Sequence, residues 1–184
     1  MPETIRFWRF QKLNSSKQSF ELKEEDKMER LQQVMIGHGL LVILASMFAG
    51  FMLMFGLLGG LEVWPGTIVA IPTYGTTEGW VRAHSGGAMN GLLVMAVALA
   101  LPKLNLTELK QKIVAYGFIY VAWSFTIFYW FGNAAGNRAL TLGDNPLGKS
   151  DVFGIIGFLP ALPSVVIVVV VLIIAAQGVF SSKK

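Results

Sequence analysis

A histidine among small residues is the chain's clearest candidate for chemistry. His84 is followed by Ser85, Gly86 and Gly87 at the point where a polar loop enters a long apolar stretch. Small neighbours leave room for a flat, wide group such as a porphyrin, whose iron an imidazole can hold. A metal-binding side chain in hydrocarbon is a functional candidate because placing it there is costly. The residues alone leave another interpretation open, in which His84 hydrogen-bonds a backbone carbonyl at a helix end.

Asn90 is the second candidate, six positions after His84. On a helix it lies about 9 Å further along and about 120° around, so the two side chains do not share a face. This spacing predicts that Asn90 reaches an iron held by a neighbouring chain, with a haem at the subunit interface. The alternative is interhelical hydrogen bonding, a common use of Asn in membrane helices.

Three further residues are expected at the same membrane face. Tyr129 lies near the end of the third apolar stretch. Its phenol can hydrogen-bond a bound oxygen, although interfacial tyrosines also occur without such a role. Arg82 and Arg138 are expected to pair with haem propionates, and contact with lipid phosphate is equally consistent with their position.

His38, the only other histidine, lies near the start of the first apolar stretch between Gly37 and Gly39. About 20 residues of helix follow it, so the sequence predicts a separation from His84 of roughly 25–30 Å along the membrane normal. One subunit would then not clamp a haem between its two histidines. An iron bound by His84 would keep an open position, which favours catalysis or ligand binding over electron transfer. His38 is predicted to be structural.

The elements that must position these residues are membrane helices. The chain has 184 residues, of which 54% are hydrophobic and 14% charged, a composition typical of membrane proteins. A spanning helix needs about 20 apolar residues, and residues 34–58, 83–101, 113–131 and 152–176 qualify. We predict an all-α membrane protein with four transmembrane helices in up-down order. Residues 1–27 are expected to form a charged extension and residues 28–180 a four-helix transmembrane domain that carries the candidate haem site.

The charged residues indicate a topology. Lys and Arg concentrate on the cytoplasmic side of membrane proteins. The basic residues of the N-terminal segment, of the loop after helix 2 and of the C-terminus are Arg6, Arg9, Lys12, Lys17, Lys23, Lys27, Arg30, Lys103, Lys110, Lys112, Lys183 and Lys184. The other two loops carry only Arg82, Arg138 and Lys149. Both termini are therefore predicted to be cytoplasmic. Topology explains the net charge of +4 better than nucleic-acid binding does.

Proline and glycine residues indicate where the predicted helices end and turns begin. Pro65-Gly66 predicts a turn after helix 1, followed by an irregular loop, and helix 2 is expected from about Arg82 to Pro102. Pro160 and Pro163 are expected to kink helix 4. Residues 1–27 are interpreted as a loosely ordered tail whose last part, from about Glu21, extends helix 1 into the cytosol. The absence of cysteine excludes disulfides, zinc–thiolate sites, iron–sulfur clusters and covalently attached haem.

The motifs resemble those of the bacterial membrane-bound styrene oxide isomerases. The resemblance covers roughly residues 27–165 in matching order. Its most specific part is the block Glu-Gly-Trp-x-Arg-Ala-His-Ser-Gly at residues 78–86 with Asn90 downstream. The other matching residues are Gly37-His38-Gly39-Leu40, Pro65-Gly66, Gly91, Asn137-Arg138, Leu140-Thr141 and Gly143.

The resemblance implies a homotrimer of four-helix subunits with ferric haem b at the subunit interfaces, in a bacterial cytoplasmic membrane. It makes His84 the iron ligand, and Asn90 and Tyr129 the residues that handle the epoxide oxygen. The implied reaction is a Meinwald rearrangement of an aryl epoxide to an aldehyde. The chain departs from the family at Val121 and Phe125, where polar residues are expected shortly before the tyrosine. These two positions are expected to border the substrate or haem pocket.

The implied chemistry suits an apolar membrane interior. Ferric iron can act as a Lewis acid on the epoxide oxygen, and no catalytic thiol or carboxylate is required. A dry pocket would keep water from converting the developing cation to a diol. Two other functions stay open on the sequence: a membrane haem protein for redox or gas sensing, and a small assembly subunit without haem.

Overall fold

A computed structural model of the chain describes residues 3–181, and the side chains of residues 18, 22 and 25–181 within that range. The elements, in order, are α1 (Glu3–Leu58), β1 (Gly60–Trp64), β2 (Thr67–Ala70), α2 (Thr77–Ala100), a short 3₁₀ turn (Leu101–Lys103), α3 (Glu108–Ala134) and α4 (Val152–Phe180). All four predicted helices are present. The all-α membrane architecture is therefore confirmed.

Four helical segments are long and apolar enough to cross a bilayer, namely Glu25–Leu58 of α1, Thr77–Lys103, α3 and α4. In its most apolar window, α3 has 44% of its residues buried, whereas the corresponding windows of α1 and α4 have only 17%. The helix α3 is thus the central one. The outward faces of α1 and α4 expose apolar side chains, as expected of surfaces that lie against lipid.

Two side-chain caps explain where α2 and α4 begin. The Thr76 hydroxyl accepts a hydrogen bond from the Gly79 amide and caps α2, and the Asp151 carboxylate accepts one from the Gly154 amide and caps α4. The helix α2 therefore begins at Thr77, before the expected start at Arg82. His84 lies about two turns inside the helix as a result.

The connection after α1 is a β-hairpin, which the sequence did not predict. The strands β1 and β2 pair antiparallel, with Gly60 opposite Ala70 and Leu61 opposite Val69. The predicted turn at Pro65-Gly66 joins them, with Gly66 at a φ of 80° and its amide bound to the Glu62 carboxylate. A run of only four or five residues per strand gives too weak a period-two signal to be separated from an irregular loop.

The start of α1 and the path of α4 also differ from expectation. The backbone is helical from Glu3, so the N-terminal extension continues α1, and the interpretation as a loosely ordered tail was wrong. Most side chains of this extension lie outside the described residues. The helix α4 runs without interruption through Pro160 and Pro163. The Pro160 carbonyl accepts a hydrogen bond from the Ser164 hydroxyl and another from the Tyr120 hydroxyl of α3, which ties α4 to α3 at this point.

Candidate active site

The His84 side chain is held by a reciprocal pair of hydrogen bonds to α1. Its Nδ1 lies 2.9 Å from the Ser46 carbonyl oxygen, and the Ser46 hydroxyl donates to the His84 carbonyl at 2.5 Å. A carbonyl only accepts, so Nδ1 must carry the proton and Nε2 has the free lone pair. This is the arrangement in which metal-binding histidines are usually oriented, with one nitrogen bound to a backbone carbonyl and the other free for the metal.

Gly50 makes room for this arrangement. A Cβ atom at Gly50 would lie 2.8 Å from the His84 Nδ1 and 3.0 Å from its Cε1. The imidazole therefore passes over a position of α1 that has no side chain and reaches the carbonyl of Ser46. Ser46 itself is fully buried. Neither residue was singled out from the sequence, where they appear as a small residue and a glycine in an apolar run.

Tyr129 and Asn90 meet on another face of α2. The Tyr129 ring packs on Gly86, where a Cβ atom would lie 2.7 Å from its Cε2. The Asn90 side chain lies beside the Tyr129 hydroxyl. Its Nδ2 is buried and makes no well-aligned hydrogen bond among the described residues, with the Tyr129 hydroxyl as the polar group beside it. A buried unpaired donor costs on the order of 1–3 kcal/mol, so this nitrogen is suited to donate to a ligand.

The helical repeat separates these groups from His84. His84 faces Gly50 of α1, whereas Gly86 faces Tyr129 of α3. At about 100° per residue, Gly86 and Asn90 lie only about 40° apart, and each is more than about 100° from His84. Within one chain, α2 therefore stands between the candidate iron ligand and the two candidate oxygen-binding groups.

Arg82, Tyr129 and Arg138 line one open cavity of about 320 Å³, together with Phe128 and Leu140. The structure thus brings together three of the five residues singled out from the sequence, and Asn90 adjoins them through Tyr129. His84 is absent from this lining. The cavity combines an aromatic and aliphatic wall with two guanidinium groups and a phenol, a composition suited to an apolar molecule that carries a few polar groups.

Arg138 is set into this cavity by an uncommon backbone conformation. Arg138 and Ala139 have φ values of 59° and 54°, which β-carbon-bearing residues rarely adopt. Such residues cost on the order of 1–3 kcal/mol and persist where the surroundings fix them. The Arg138 guanidinium donates to the Thr76 hydroxyl at 3.3 Å. The strained turn and the cap of α2 therefore position the arginine jointly.

Asn133 connects the cap of α2 to the end of α3. Its Oδ1 accepts from the Thr76 amide at 2.9 Å, and its Nδ2 donates to the Thr76 carbonyl at 3.3 Å. Gly79 provides the space for this buried side chain, since a Cβ atom there would overlap the Asn133 carboxamide. Asn133 was missed in the sequence, where its only signal was a polar residue at the end of an aromatic-rich apolar segment.

The loop between α3 and α4 is organised by Asn137 and Asp151. The buried Asn137 donates to the carbonyls of Thr141 and Gly143 at 2.8 and 3.0 Å and accepts from the Ala139 amide. Asp151 accepts from the amides of Gly154 and Gly136. These backbone hydrogen bonds lower the pKa of the Asp151 carboxyl. The loop that carries Arg138 is therefore held at both ends.

His38 is packed and hydrogen-bonded, as predicted. The Trp123 indole donates to its Nδ1 at 3.1 Å, and the two rings meet edge to face. The predicted distance to His84 was too large. His84 contacts Ser46 and Gly50, eight and twelve residues after His38, so the separation along α1 is about 12–18 Å. This separation still excludes a haem held by both histidines of one chain, because two histidines that bind one iron must have their nitrogens within a few ångströms of each other.

The two residues that depart from the expected motif, Val121 and Phe125, precede Tyr129 on α3. The Phe125 ring stacks on the Tyr129 ring, with centroids 6.2 Å apart, and Val121 is buried one turn earlier. The approach to the tyrosine from the middle of the membrane is thus apolar. The Trp130 indole nitrogen, also missed from the sequence, is a second buried donor without a partner in the described part of the chain.

The residues present fit a haem. His84 has a fixed tautomer with Nε2 free, Arg82 and Arg138 provide two cations in the cavity beside Tyr129, and the Asn90 Nδ2 makes no well-aligned hydrogen bond. The described residues contain no group of three or more His, Cys, Asp or Glu side chains that could hold a bare metal ion. A porphyrin that brings four nitrogen ligands of its own needs only one protein ligand, which is what His84 offers.

Comparisons with known proteins give the same family as the motifs. The family model described as styrene oxide isomerase matches residues 31–180. A styrene-oxide isomerase of Pseudomonas fluorescens is 39% identical to this chain over 134 residues, which cover 73% of this chain and 79% of that protein. The family-model match includes nearly all of the membrane-spanning part and excludes residues 1–30, which comprise the N-terminal extension and the three residues after it.

Proposed function

The chain belongs to the styrene oxide isomerase family, and we propose that it isomerises an aryl epoxide to an aldehyde in a bacterial cytoplasmic membrane. Family membership supports an isomerase that acts on an epoxide. The observation that carries the site is the buried Nδ2 of Asn90, which lies beside the Tyr129 hydroxyl without forming a well-aligned hydrogen bond. These two groups offer hydrogen-bond donors to one small oxygen atom in otherwise apolar surroundings.

We propose haem b as the cofactor, held by His84 through Nε2. The Ser46 carbonyl orients the imidazole, and Arg82 and Arg138 pair with the propionates. Ferric haem, when bound, supplies Lewis acidity toward an ether oxygen. Support for this assignment comes from the fixed tautomer of His84 and from the space that Gly50 leaves beside it.

The chain's own residues would orient the epoxide and stabilise its oxygen. Tyr129 and Asn90 donate hydrogen bonds to the oxygen as its bond to the benzylic carbon breaks. Phe125 and Phe128, which meet Tyr129 at 6.2 and 5.7 Å, offer aromatic faces to the aryl group. A hydrogen then moves with its electron pair from the terminal carbon to the benzylic carbon, and the aldehyde forms. No atom or electron enters or leaves, as an isomerisation requires.

We propose that each site is shared between two chains of a homotrimer. In one chain, His84 faces α1 while Asn90 and Tyr129 lie on another face of α2. A second copy would present its Asn90 and Tyr129 to the haem that the first copy holds. The exposed apolar faces of the helices provide surface for contacts between copies as well as for lipid.

A tyrosine comparison tests the role of the Asn90–Tyr129 pair. Tyr129→Phe removes one hydrogen bond to an oxygen that develops charge, worth about 1.5–3 kcal/mol. Turnover of styrene oxide is therefore expected to fall roughly ten- to a hundred-fold. The haem absorbance per protein should stay unchanged. Tyr116→Phe, at the opposite end of α3, is the matched control and should retain full activity. Equal activities of the two variants would refute the assignment.

A further inference from the structure

A second cavity lies at the end of the molecule opposite to Tyr129. It has a volume of about 260 Å³ and lies between α1 and the first turns of α3. Lys27, Arg30, Glu108 and Lys112 line its outer part. The family motifs do not include these residues, and Arg30 lies about 24–30 Å along α1 from Ser46 and Gly50, which contact His84.

The charge of this cavity is unbalanced. Three cationic residues face one carboxylate, and Glu108 is already bridged to Lys112 at 2.7 Å and to Lys27 at 3.8 Å. Arg30 has no ion-pair or hydrogen-bond partner among the described residues. A guanidinium presents several donors in a planar fork that matches a phosphate. The outer part of the cavity therefore favours an anion.

The inner part of the same cavity is apolar. Along α1 the lining changes from Lys27 and Arg30 to Leu31 and Val34. Along α3 it changes from Glu108 and Lys112 to Tyr116. Each change takes place over about 10–12 Å of helix. Since α1 and α3 run in the same direction, both linings go from charged at the bilayer surface to apolar toward the membrane interior.

We infer that this cavity is a binding site for an anionic phospholipid. The headgroup phosphate binds Arg30 and Lys112, and an acyl chain follows Leu31, Val34 and the Tyr116 ring into the bilayer. Basic pockets between membrane helices at the membrane surface recognise anionic headgroups in this way. The gradient from charge to apolar surface distinguishes a lipid from a soluble anion, which would not need the inner part. This inference is independent of the proposed haem and of the reaction.

Native mass spectrometry of the full chain in detergent tests this inference. Phosphatidylglycerol and phosphatidylcholine with the same acyl chains are titrated, and bound lipid is counted. We expect tighter binding of phosphatidylglycerol and a roughly five-fold loss of its affinity in Arg30→Gln, since one basic residue contributes modestly at such a surface. Lys103→Gln, which removes the same charge near the same membrane face but outside the cavity, is the matched control.

Each alternative result would overturn the inference. Equal affinities in Arg30→Gln and Lys103→Gln would show that binding follows the overall charge of the surface. Complete displacement of the lipid by inorganic phosphate, or binding of phosphate at equal affinity, would identify a site for a soluble anion. Both variants change exposed side chains, so far-ultraviolet circular dichroism should show unchanged helix content.

Discussion

The imidazole of His84 has one nitrogen bound to the carbonyl of Ser46 and passes over Gly50 to reach it. The orientation of the ring is thus determined by a backbone atom and by the absence of a side chain. His38 has a different environment, since the Trp123 indole donates to its Nδ1 and its neighbours are core residues. The two histidines of one chain therefore have different environments.

This difference predicts opposite outcomes for two alanine variants. His84→Ala is expected to abolish haem binding, because it removes the ligand nitrogen. His38→Ala is expected to retain most of the haem, because it removes only a packing and hydrogen-bonding contact. The Soret absorbance per protein of each purified variant measures the effect. Loss of haem in the His38 variant with retention in the His84 variant would reverse the assignment.

At the scale of elements, the loops before α2 and α4 determine where these two helices begin. Thr76 and Asn133 fix the start of α2, and Asp151 fixes the start of α4 while holding the Gly136 amide at the end of α3. The loop with Arg138 lies between these anchors. Its position over the cavity thus depends on hydrogen bonds to backbone groups.

Asp151 makes this anchoring dependent on pH. Its pKa is lowered by the Gly154 and Gly136 amides from the ordinary value of 3.8, so the stabilisation is complete above that value and is lost as the pH falls through the lower, folded-state pKa. Asp151→Asn is expected to be less stable than the natural chain at pH 7, with a difference that shrinks toward pH 3. Thermal unfolding followed by circular dichroism measures it.

The matched control is Asp26→Asn, which changes an exposed carboxylate of α1 far from this loop. Its unfolding should keep the pH dependence of the natural chain. A stability difference for Asp151→Asn that stays constant from pH 7 to pH 3 would contradict the anchoring role.

The sequence predicted the helices well and the loops poorly, for physical reasons. Long apolar runs between charged ends dictate spanning helices, and the motif around His84 indicated the family. The hairpin after α1 was not predicted, because its strands are only five and four residues long. The contact of the Ser46 carbonyl with His84 was not predicted, because any residue supplies a backbone oxygen. Only the packing of α1 on α2 brings this one to His84. The distance between the histidines was overestimated because α2 begins at Thr77, five residues earlier than expected. His84 therefore lies about two turns inside the helix and not at its end.

At the scale of the whole molecule, we propose that more than one chain forms the active site. The helix α2 separates His84 from Asn90 and Tyr129, and the outer surface of the bundle is apolar. An assembly of copies would bring these two halves together, whereas a monomer would leave each incomplete.

A complementation experiment tests the shared site. His84→Ala and Tyr129→Ala are expected to be nearly inactive alone. In mixed oligomers, some interfaces combine His84 from one chain with Tyr129 from another, so activity should return. Co-expression with two affinity tags isolates mixed oligomers, and each variant paired with itself is the control. Mixed oligomers without activity would show that each site lies within one chain.

The most direct test of the proposed function is turnover of aryl epoxides by the detergent-purified protein in two oxidation states. Ferric iron is the stronger Lewis acid, so the ferric protein should convert a terminal aryl epoxide to the aldehyde, and reduction with dithionite should slow this conversion. Because Val121 and Phe125 flank the tyrosine, a panel of epoxides is needed, with styrene oxide among them. The proposal is contradicted if haem-loaded ferric protein converts none of the panel, or if the ferrous form is the faster catalyst.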